Sequence, residues 1–477
     1  MKKTKIVCTI GPATLEVEVL KNLIKAGMNV ARINFSHGSY EEQKKYIDAV
    51  KQAREEVGLP VALLLDTQGP EIRTGKLEEN PTILEVGQKF VLCQDDLVGN
   101  KERVSVTYKD LAKDLHVGNI VLIDDGKLEL QVEKIENNDV YCVVTAGGAL
   151  GNRKSINIPG VHINLPALKE KDIKDLIDGC HVDFDYVAAS FVRNANDVLE
   201  IRKVLDENGG KRIKIISKIE NQEGIDNFQE ILKVTDGVMV ARGDLGVEIP
   251  IEEVPVVQKK MIRDCRRAGK MVITATQMLE SMTESPRPTR AEVSDVANAI
   301  YDITGAVMLS GESATGKHPV ECVEMMTRIA EAVESNLHYT KRFRAALCEE
   351  YDSDYEFKLN HAICDTAIHM KAKAIVAFTE KGDTPNILSG FNLDCPIYAV
   401  TKNEKTYRQL ALVWNVQPRL ITEGESAKEV ISNGINVLKG EGLLEEGDVV
   451  MVAGGTAVLE DHTASLMNRT IGGVLKL

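Results

Sequence analysis

Up to about residue 340, apolar residues fall in short unbroken runs, most followed by ten or more residues whose apolar positions recur at helical spacing. A run that is apolar at every position suits a strand buried on both faces, as in a parallel sheet covered by helices. The runs predict strands at 6–10, 29–33, 61–65, 186–189, 214–217, 237–241, 271–275 and 306–309; stretches such as 15–26, 196–207, 221–234 and 255–268 predict crossover helices. Eight such units point to a closed (β/α)8 TIM barrel rather than an open sheet.

The texture changes between about 72 and 163. Runs at 127–135 and 140–145 alternate apolar and polar residues, and turns containing Asn137, Asn138 and Asp139 or Asp124, Asp125 and Gly126 separate them. Alternation with polar turns marks strands with one wet face, so a small β-barrel is expected after the third barrel strand, placed as a lid over the C-terminal rim. A third pattern begins after about 349, with a helix at 360–371 and strands at 374–377, 396–400 and 448–453. The expected domains are a catalytic barrel at 1–70 and 165–345, the inserted lid at 71–164, and a smaller C-terminal α/β domain at 346–477.

Composition narrows the function. A net charge of −14 over 477 residues argues against nucleic acid or an anionic membrane as the main partner. No stretch approaches the roughly 20 apolar residues of a membrane span, and the apolar run near the start is too short for a signal segment. The nine cysteines show no Cys-x-x-Cys spacing, so neither a disulfide framework nor zinc is suggested, and the expected location is cytoplasmic.

In a barrel of this kind, side chains just past the strand ends meet at one rim. The second strand runs into Arg32, Asn34, Ser36 and His37; the third into Asp66, Thr67, Gln68, Glu71 and Arg73; the fifth into Lys218 and Glu220; the sixth into Gly243 and Asp244; the seventh into Thr276 and Gln277; the eighth into Ser310 and Glu312. A lysine with carboxylates from neighbouring strand ends suits a divalent metal and a phosphoryl group or oxyanion. Lys218 follows an apolar strand, where an ammonium is costly unless an anion compensates it. His37 reads as a turn residue, because no second histidine or cysteine is spaced to share a metal with it.

Several motifs in order, among them Thr9 to Pro12, Arg32 to Gly38, Asp66 to Arg73, Ile216 to Asn221, Ala241 to Gly246, Thr274 to Leu279, Pro286 to Arg290 and Val307 to Glu312, resemble those of pyruvate kinase of bacterial type. The resemblance implies transfer of the phosphoryl group of phosphoenolpyruvate to ADP, giving pyruvate and ATP, with Mg2+ (or Mn2+) and K+ as cofactors and a homotetramer as the usual assembly. It implies that Glu220 and Asp244 hold Mg2+ and that Arg32 and Lys218 neutralise the phosphoryl group. Gly243, Asp244 and Thr276 would hold the substrate carboxylate, and Thr276 with Ser310 would belong to the relay that protonates the enolate. Asn34, Ser36, Asp66 and Thr67 match potassium ligands, and Glu71 matches the glutamate of potassium-dependent members. Arg73, Lys154 and the segment Asn34, Phe35, Ser36 and His37 match nucleotide contacts. A metal-dependent barrel aldolase, or a silent metabolite-binding relative, is a rival reading; the latter should have lost Lys218, Glu220, Asp244 or Thr276, and all four are present.

Some positions depart from the family pattern: Gln68 for lysine, Ser155 for glycine and Gly305 for aspartate. In the C-terminal domain the segment 379–386, where the family has its effector loop, carries Glu380 and Asp383 and no arginine, and the segment 454–463 lacks the usual proline. Acids there repel a phosphorylated effector, so control by a sugar phosphate is expected to be weak, altered or absent.

Overall fold

The computed structural model describes residues 2–36, 38–346, 355–422, 424, 426–455 and 470–477; His37 and positions 456–463 of the closing segment lie outside the described residues. Eight parallel strands, Lys5–Thr9, Val30–Asn34, Ala62–Asp66, Tyr186–Ala189, Lys214–Ile219, Gly237–Ala241, Met271–Ala275 and Ala306–Leu309, close on themselves, the first pairing with both the second and the eighth. Alternate residues serve two cores. Val7, Val30, Leu64, Ile216, Met239, Ile273 and Met308 fill the barrel, whereas Ile6, Ala31, Leu63, Val187, Ile215, Val238 and Val307 pack outward onto the helices. That double burial is why the strands read as unbroken apolar runs. Gly305 lies just before the eighth strand, where a Cβ would come 2.9 Å from the Val272 carbonyl oxygen, so the bare backbone permits the close approach.

The helix expected over 221–234 is two, Gln222–Asp226 and Phe228–Val234, parted at Asn227, whose side-chain amide donates to the Arg193 carbonyl at 3.0 Å. A side chain that competes for backbone groups favours such a break.

The inserted segment forms a seven-stranded sheet around its own core, which includes Phe90, Leu92, Val121, Leu130 and Val144. Its central hairpin, Leu128–Glu136 with Asp139–Ala146, turns through Asn137 and Asn138, both with positive φ, as a tight hairpin requires. The lid leans on the barrel mouth: Asn157 donates to Glu248 at 2.8 Å and His162 lies 2.8 Å from Glu223.

The C-terminal sheet runs Val416–Leu420, Ile397–Thr401, Ala374–Phe378, Val449–Gly455 in parallel, with Thr470–Lys476 antiparallel at the far edge. The two edge strands had no clear sequence signal. Pro418 in one and Gly472 and Gly473 in the other are residues that ordinarily argue against a strand, and an edge is where a sheet tolerates them. Phe343, Leu388 and Val413 belong to the same cluster as the barrel interior. The floor of the barrel is therefore sealed by this domain, with Tyr186 donating to the Gln409 carbonyl at 2.5 Å and Lys5 to that of Val416 at 2.6 Å. The polar strand ends gather at the opposite end.

Candidate active site

Asp66, the last residue of the third strand, is fully buried beneath the rim. Its Oδ2 accepts from Arg32 Nε at 2.5 Å, and its Oδ1 from Lys218 Nζ and from Ser190 Oγ, both at 3.2 Å. Burial pushes the carboxyl up, but Arg32 and Lys218 outweigh it, leaving Asp66 below its ordinary range. Lys218 also meets Ser190 Oγ at 2.8 Å and Glu220 Oε1 at 3.0 Å. Desolvation opposes its charge, yet Asp66 and Glu220 together raise its pKa. Arg32 and Lys218 thus meet on one carboxylate beneath the rim, where its acidic partners keep Lys218 charged. Arg32 is steadied by Thr9 Oγ1 at 2.9 Å, whose own hydroxyl donates to the Leu309 carbonyl.

Glu220 and Asp244 come from the ends of neighbouring strands. Burial and the Asp244 charge push Glu220 up to about 7 against the pull of Lys218, and burial likewise raises Asp244. Phe191, with φ 55°, turns its N–H onto Glu220 Oε2 at 2.6 Å. Glu220 is buried and Asp244 largely so, and desolvation pushes both hard-oxygen carboxylates toward protonation, which suits them to a divalent cation that relieves both. Among the described residues no group of three or more His, Cys, Asp and Glu gathers as a metal cage. A magnesium held by few protein ligands and completed by substrate and water needs none.

On the other side of the mouth, Thr276 has φ 69° and Gln277 φ 52°. Thr276 Oγ1 donates to the Ala275 carbonyl at 2.6 Å and accepts the Gly243 N–H at 2.8 Å, so the seventh strand end is stitched to the residue before Asp244. Ser310 follows the eighth strand, and its N–H donates to Glu312 Oε2 at 2.7 Å; Glu312 is fully buried and also accepts the Leu279 N–H at 3.1 Å, tying the seventh and eighth strand ends together.

Between the rim and the lid lies a cleft of about 580 Å³ whose lining includes Glu71, Arg73, Asp125, Lys154, Asp244 and Glu248. Arg73 pairs with Glu71 at 2.7 Å and Lys154 with Asp124 at 2.9 Å. Asp244 is the expected metal residue that this cleft shares with the cation cluster. Ser155 accepts the Asp125 N–H at 3.4 Å and donates to its carboxylate at 3.0 Å, fixing the turn that faces Asp244. Near the departure at Gln68, Lys169 places an ammonium 3.0 Å from the Glu71 carbonyl, so that loop retains a cation.

The remaining expected residues sort by burial. Asn34 Oδ1 accepts the Ser36 N–H at 3.0 Å, shaping the turn after the second strand. The Phe35 ring is packed edge-on against Phe184 in the core, so only its main chain faces other partners. Thr67 is buried, with its hydroxyl taken up by the Ala188 carbonyl at 3.4 Å and the Ser190 N–H at 3.1 Å.

Sequence reasoning did not single out Ser190, and it gave no role to Thr9 and Arg242, which stood only within motifs. Ser190 immediately follows the fourth strand, in the same position as the residues singled out on other strands, and that placement was the available signal. Arg242, first residue after the sixth strand, reaches Asp295 at 2.7 Å and the carbonyl of Thr276 at 2.6 Å.

A closed parallel barrel whose rim gathers two largely buried cations, two carboxylates raised by burial and a lidded cleft suits an enzyme of the (β/α)8 class that transfers phosphoryl groups. The family descriptions "Pyruvate kinase, barrel domain" and "Pyruvate kinase, alpha/beta domain" match residues 1–323 and 358–468. The chain belongs to the pyruvate kinase family, phosphotransferases that move the phosphoryl group of phosphoenolpyruvate to ADP. It is 47% identical to a pyruvate kinase of Clostridium acetobutylicum over 98% of this chain and 99% of that one. A pyruvate kinase of Staphylococcus haemolyticus is 46% identical over 99% of this chain and 81% of its own length. A solved pyruvate kinase of Cryptosporidium parvum superposes with a TM-score of 0.93 at 38% identity, covering 100% of this chain and 96% of that one. Among the described residues no helix is long and apolar enough to cross a membrane.

Proposed function

We propose that the transfer runs at the mouth of the barrel with Lys218 and Arg32 as the cations that receive the phosphoryl group. The observation that carries this is the pair of largely buried cations held on Asp66 and Glu220. A phosphoryl transfer asks mainly for positioning and charge stabilisation, and groups already desolvated and oriented supply both without reorganising. Glu220 and Asp244 hold Mg2+ (or Mn2+), and a divalent ion there adds positive charge against the phosphoryl oxygens.

Asn34, Ser36, Asp66 and Thr67 provide oxygens for K+, and Glu71 marks the chain as potassium-activated. Arg73 and Lys154, on the cleft wall, contact the nucleotide phosphates, with the main chain and side chains of Asn34 to His37 nearby. Gly243, Asp244 and Thr276 hold the carboxylate of phosphoenolpyruvate. Thr276 and Ser310 lie in the proton path to the enolate, with a water chain as the donor, since a threonine hydroxyl is a poor acid. The domain limits are those read from the sequence, the assembly is a homotetramer, and the protein works in the cytoplasm.

The test is pyruvate release from phosphoenolpyruvate and ADP, with and without Mg2+ and K+, beside a Lys218→Met variant. Loss of activity by roughly three orders of magnitude or more is expected for the variant. Equal rates would overturn the assignment.

A further inference from the structure

The Arg242 side chain makes contacts that an isolated ion pair does not explain. Its Nε donates to the Ala275 carbonyl at 3.2 Å, and its Nη2 to those of Thr276 at 2.6 Å and Gln277 at 3.4 Å. Its Nη1 is held by both carboxylate oxygens of Asp295, at 2.7 and 2.8 Å. Three successive carbonyls are therefore gathered onto one guanidinium, at a turn where Thr276 and Gln277 both have positive φ. A β-branched residue in that region is a steric outlier, and such backbone persists only where its surroundings over-determine it. A planar fork of five donors meets that need, whereas a lysine offers one tetrahedral point.

We infer that Arg242 is a positioning residue: it clamps the turn after the seventh strand in its left-handed form and so sets Thr276 Oγ1 against the substrate side of the mouth. Thr276 Oγ1 accepts the Gly243 N–H at 2.8 Å, and Gly243 and Asp244 follow Arg242 in the same short helix. One residue thus fixes two parts of the mouth at once, by its backbone the turn bearing Asp244 and by its side chain the turn bearing Thr276. Asp295, on the helix Arg290–Tyr301, steers the guanidinium into place. This inference rests on the substrate-side role proposed for Thr276.

The experiment compares wild type with R242K, Q277G, R242K/Q277G, T276A, R242K/T276A and D295N. For R242K, kcat falls by about tenfold or more while KM for ADP stays unchanged, because the clamp acts on the phosphoenolpyruvate side. R242K/Q277G recovers part of that loss, since glycine takes the left-handed backbone unaided. R242K/T276A is no slower than T276A, because both act through one hydroxyl. D295N shows a smaller fall in the same sense and carries the test if R242K does not fold. A wild-type kcat in folded R242K, multiplying effects of R242K and T276A, no rescue by Q277G, or a wild-type kcat in D295N overturns the clamp. Hydrogen exchange over 275–279 reads the clamp without reference to the reaction: it is faster in R242K and D295N, and unchanged exchange also overturns it. Absence of pyruvate release by the wild type, with that exchange still faster in the variants, would instead count against the proposed reaction.

Discussion

Lys218 Nζ lies 3.0 Å from Glu220 Oε1, so the ammonium proposed to meet the phosphoryl group and a carboxylate proposed to hold the metal form one ion pair. Burial nonetheless raises Glu220 from its ordinary 4.5 to about 7. An acid whose pKa is raised by folding favours the folded state below the unfolded value, and that contribution is lost as pH rises through about 7. In the absence of metal, E220Q should therefore have a higher Tm than wild type at pH 8, with the gap closing as the pH is lowered toward 4.5. Added Mg2+ should raise the wild-type Tm but not that of E220Q, because only the wild type gains a ligand of the folded state. Thermal scans at several pH values check both, and equal Mg2+ shifts in the two proteins would count against Glu220 as a ligand.

The proposed potassium dependence assigns a part to Glu71, which is partnered by Arg73 at 2.7 Å. Wild type assayed in tetramethylammonium instead of K+, at constant ionic strength, should lose most of its activity. E71K supplies an internal cation and should show a smaller ratio of the two rates, at the cost of crowding Arg73 and the Lys169 ammonium. An unchanged ratio would separate Glu71 from the potassium effect.

The loop at 379–386 is already occupied by its own contacts. The Glu380 carbonyl accepts from Thr406 Oγ1 at 2.6 Å and from Arg212 at 3.3 Å, and the Glu380 and Asp383 side chains are exposed. Phosphoenolpyruvate saturation curves should be the same with and without a sugar bisphosphate, because exposed acids repel the ligand. A sigmoidal curve turned hyperbolic at micromolar effector would refute this.

Much of this architecture was legible in the sequence because burial on both faces leaves a simple signature. Each of the eight barrel strands was located to within two residues, and the residues after most of them were already chemically conspicuous. Ser190 was not, since a serine after an apolar run is ordinary until Asp66 and Lys218, distant in sequence, converge on it. Arg242 was visible within its motif, but its contacts lie on another strand end and on a helix, so only the folded chain reveals the turn it holds. The lid was recognisable from alternation, whereas the edge strand holding Pro418 was not, because local propensity opposed what sheet position allows.

Lys5 is 3% exposed on the barrel floor, and burial lowers its pKa to about 7. The unfolded chain then binds more protons than the folded one between about 7 and the ordinary 10.5, so stability rises with pH across that interval. The slope for one such group is at most about 1.4 kcal/mol per pH unit. Lys5→Met removes the titration along with the bond to the Val416 carbonyl. Denaturant unfolding from pH 7 to 10 should show a flatter pH dependence in the variant than in wild type; parallel curves would show that Lys5 does not titrate there.

Arg408 links the C-terminal domain to two acids of the barrel domain. Its Nε donates to Asp185 Oδ1 at 3.0 Å and its Nη2 to Asp183 Oδ2 at 2.5 Å, while the other Asp185 oxygen accepts the Leu63 N–H at 2.9 Å. Asp185 is fully buried, and desolvation raises its pKa despite Arg408. Removing the arginine leaves an uncompensated charge beside the third strand, so R408M should destabilise the protein by roughly 3–5 kcal/mol. R408M/D185N should recover much of that loss, because the orphaned charge is gone while the Leu63 N–H keeps an oxygen acceptor. Leu63 lies three residues before Asp66, so R408M should also lower kcat by disturbing the carboxylate that holds Arg32 and Lys218. Chemical denaturation and steady-state kinetics on the same three proteins check both effects; a double variant as unstable as R408M alone would mean that the arginine acts through packing rather than through its charge.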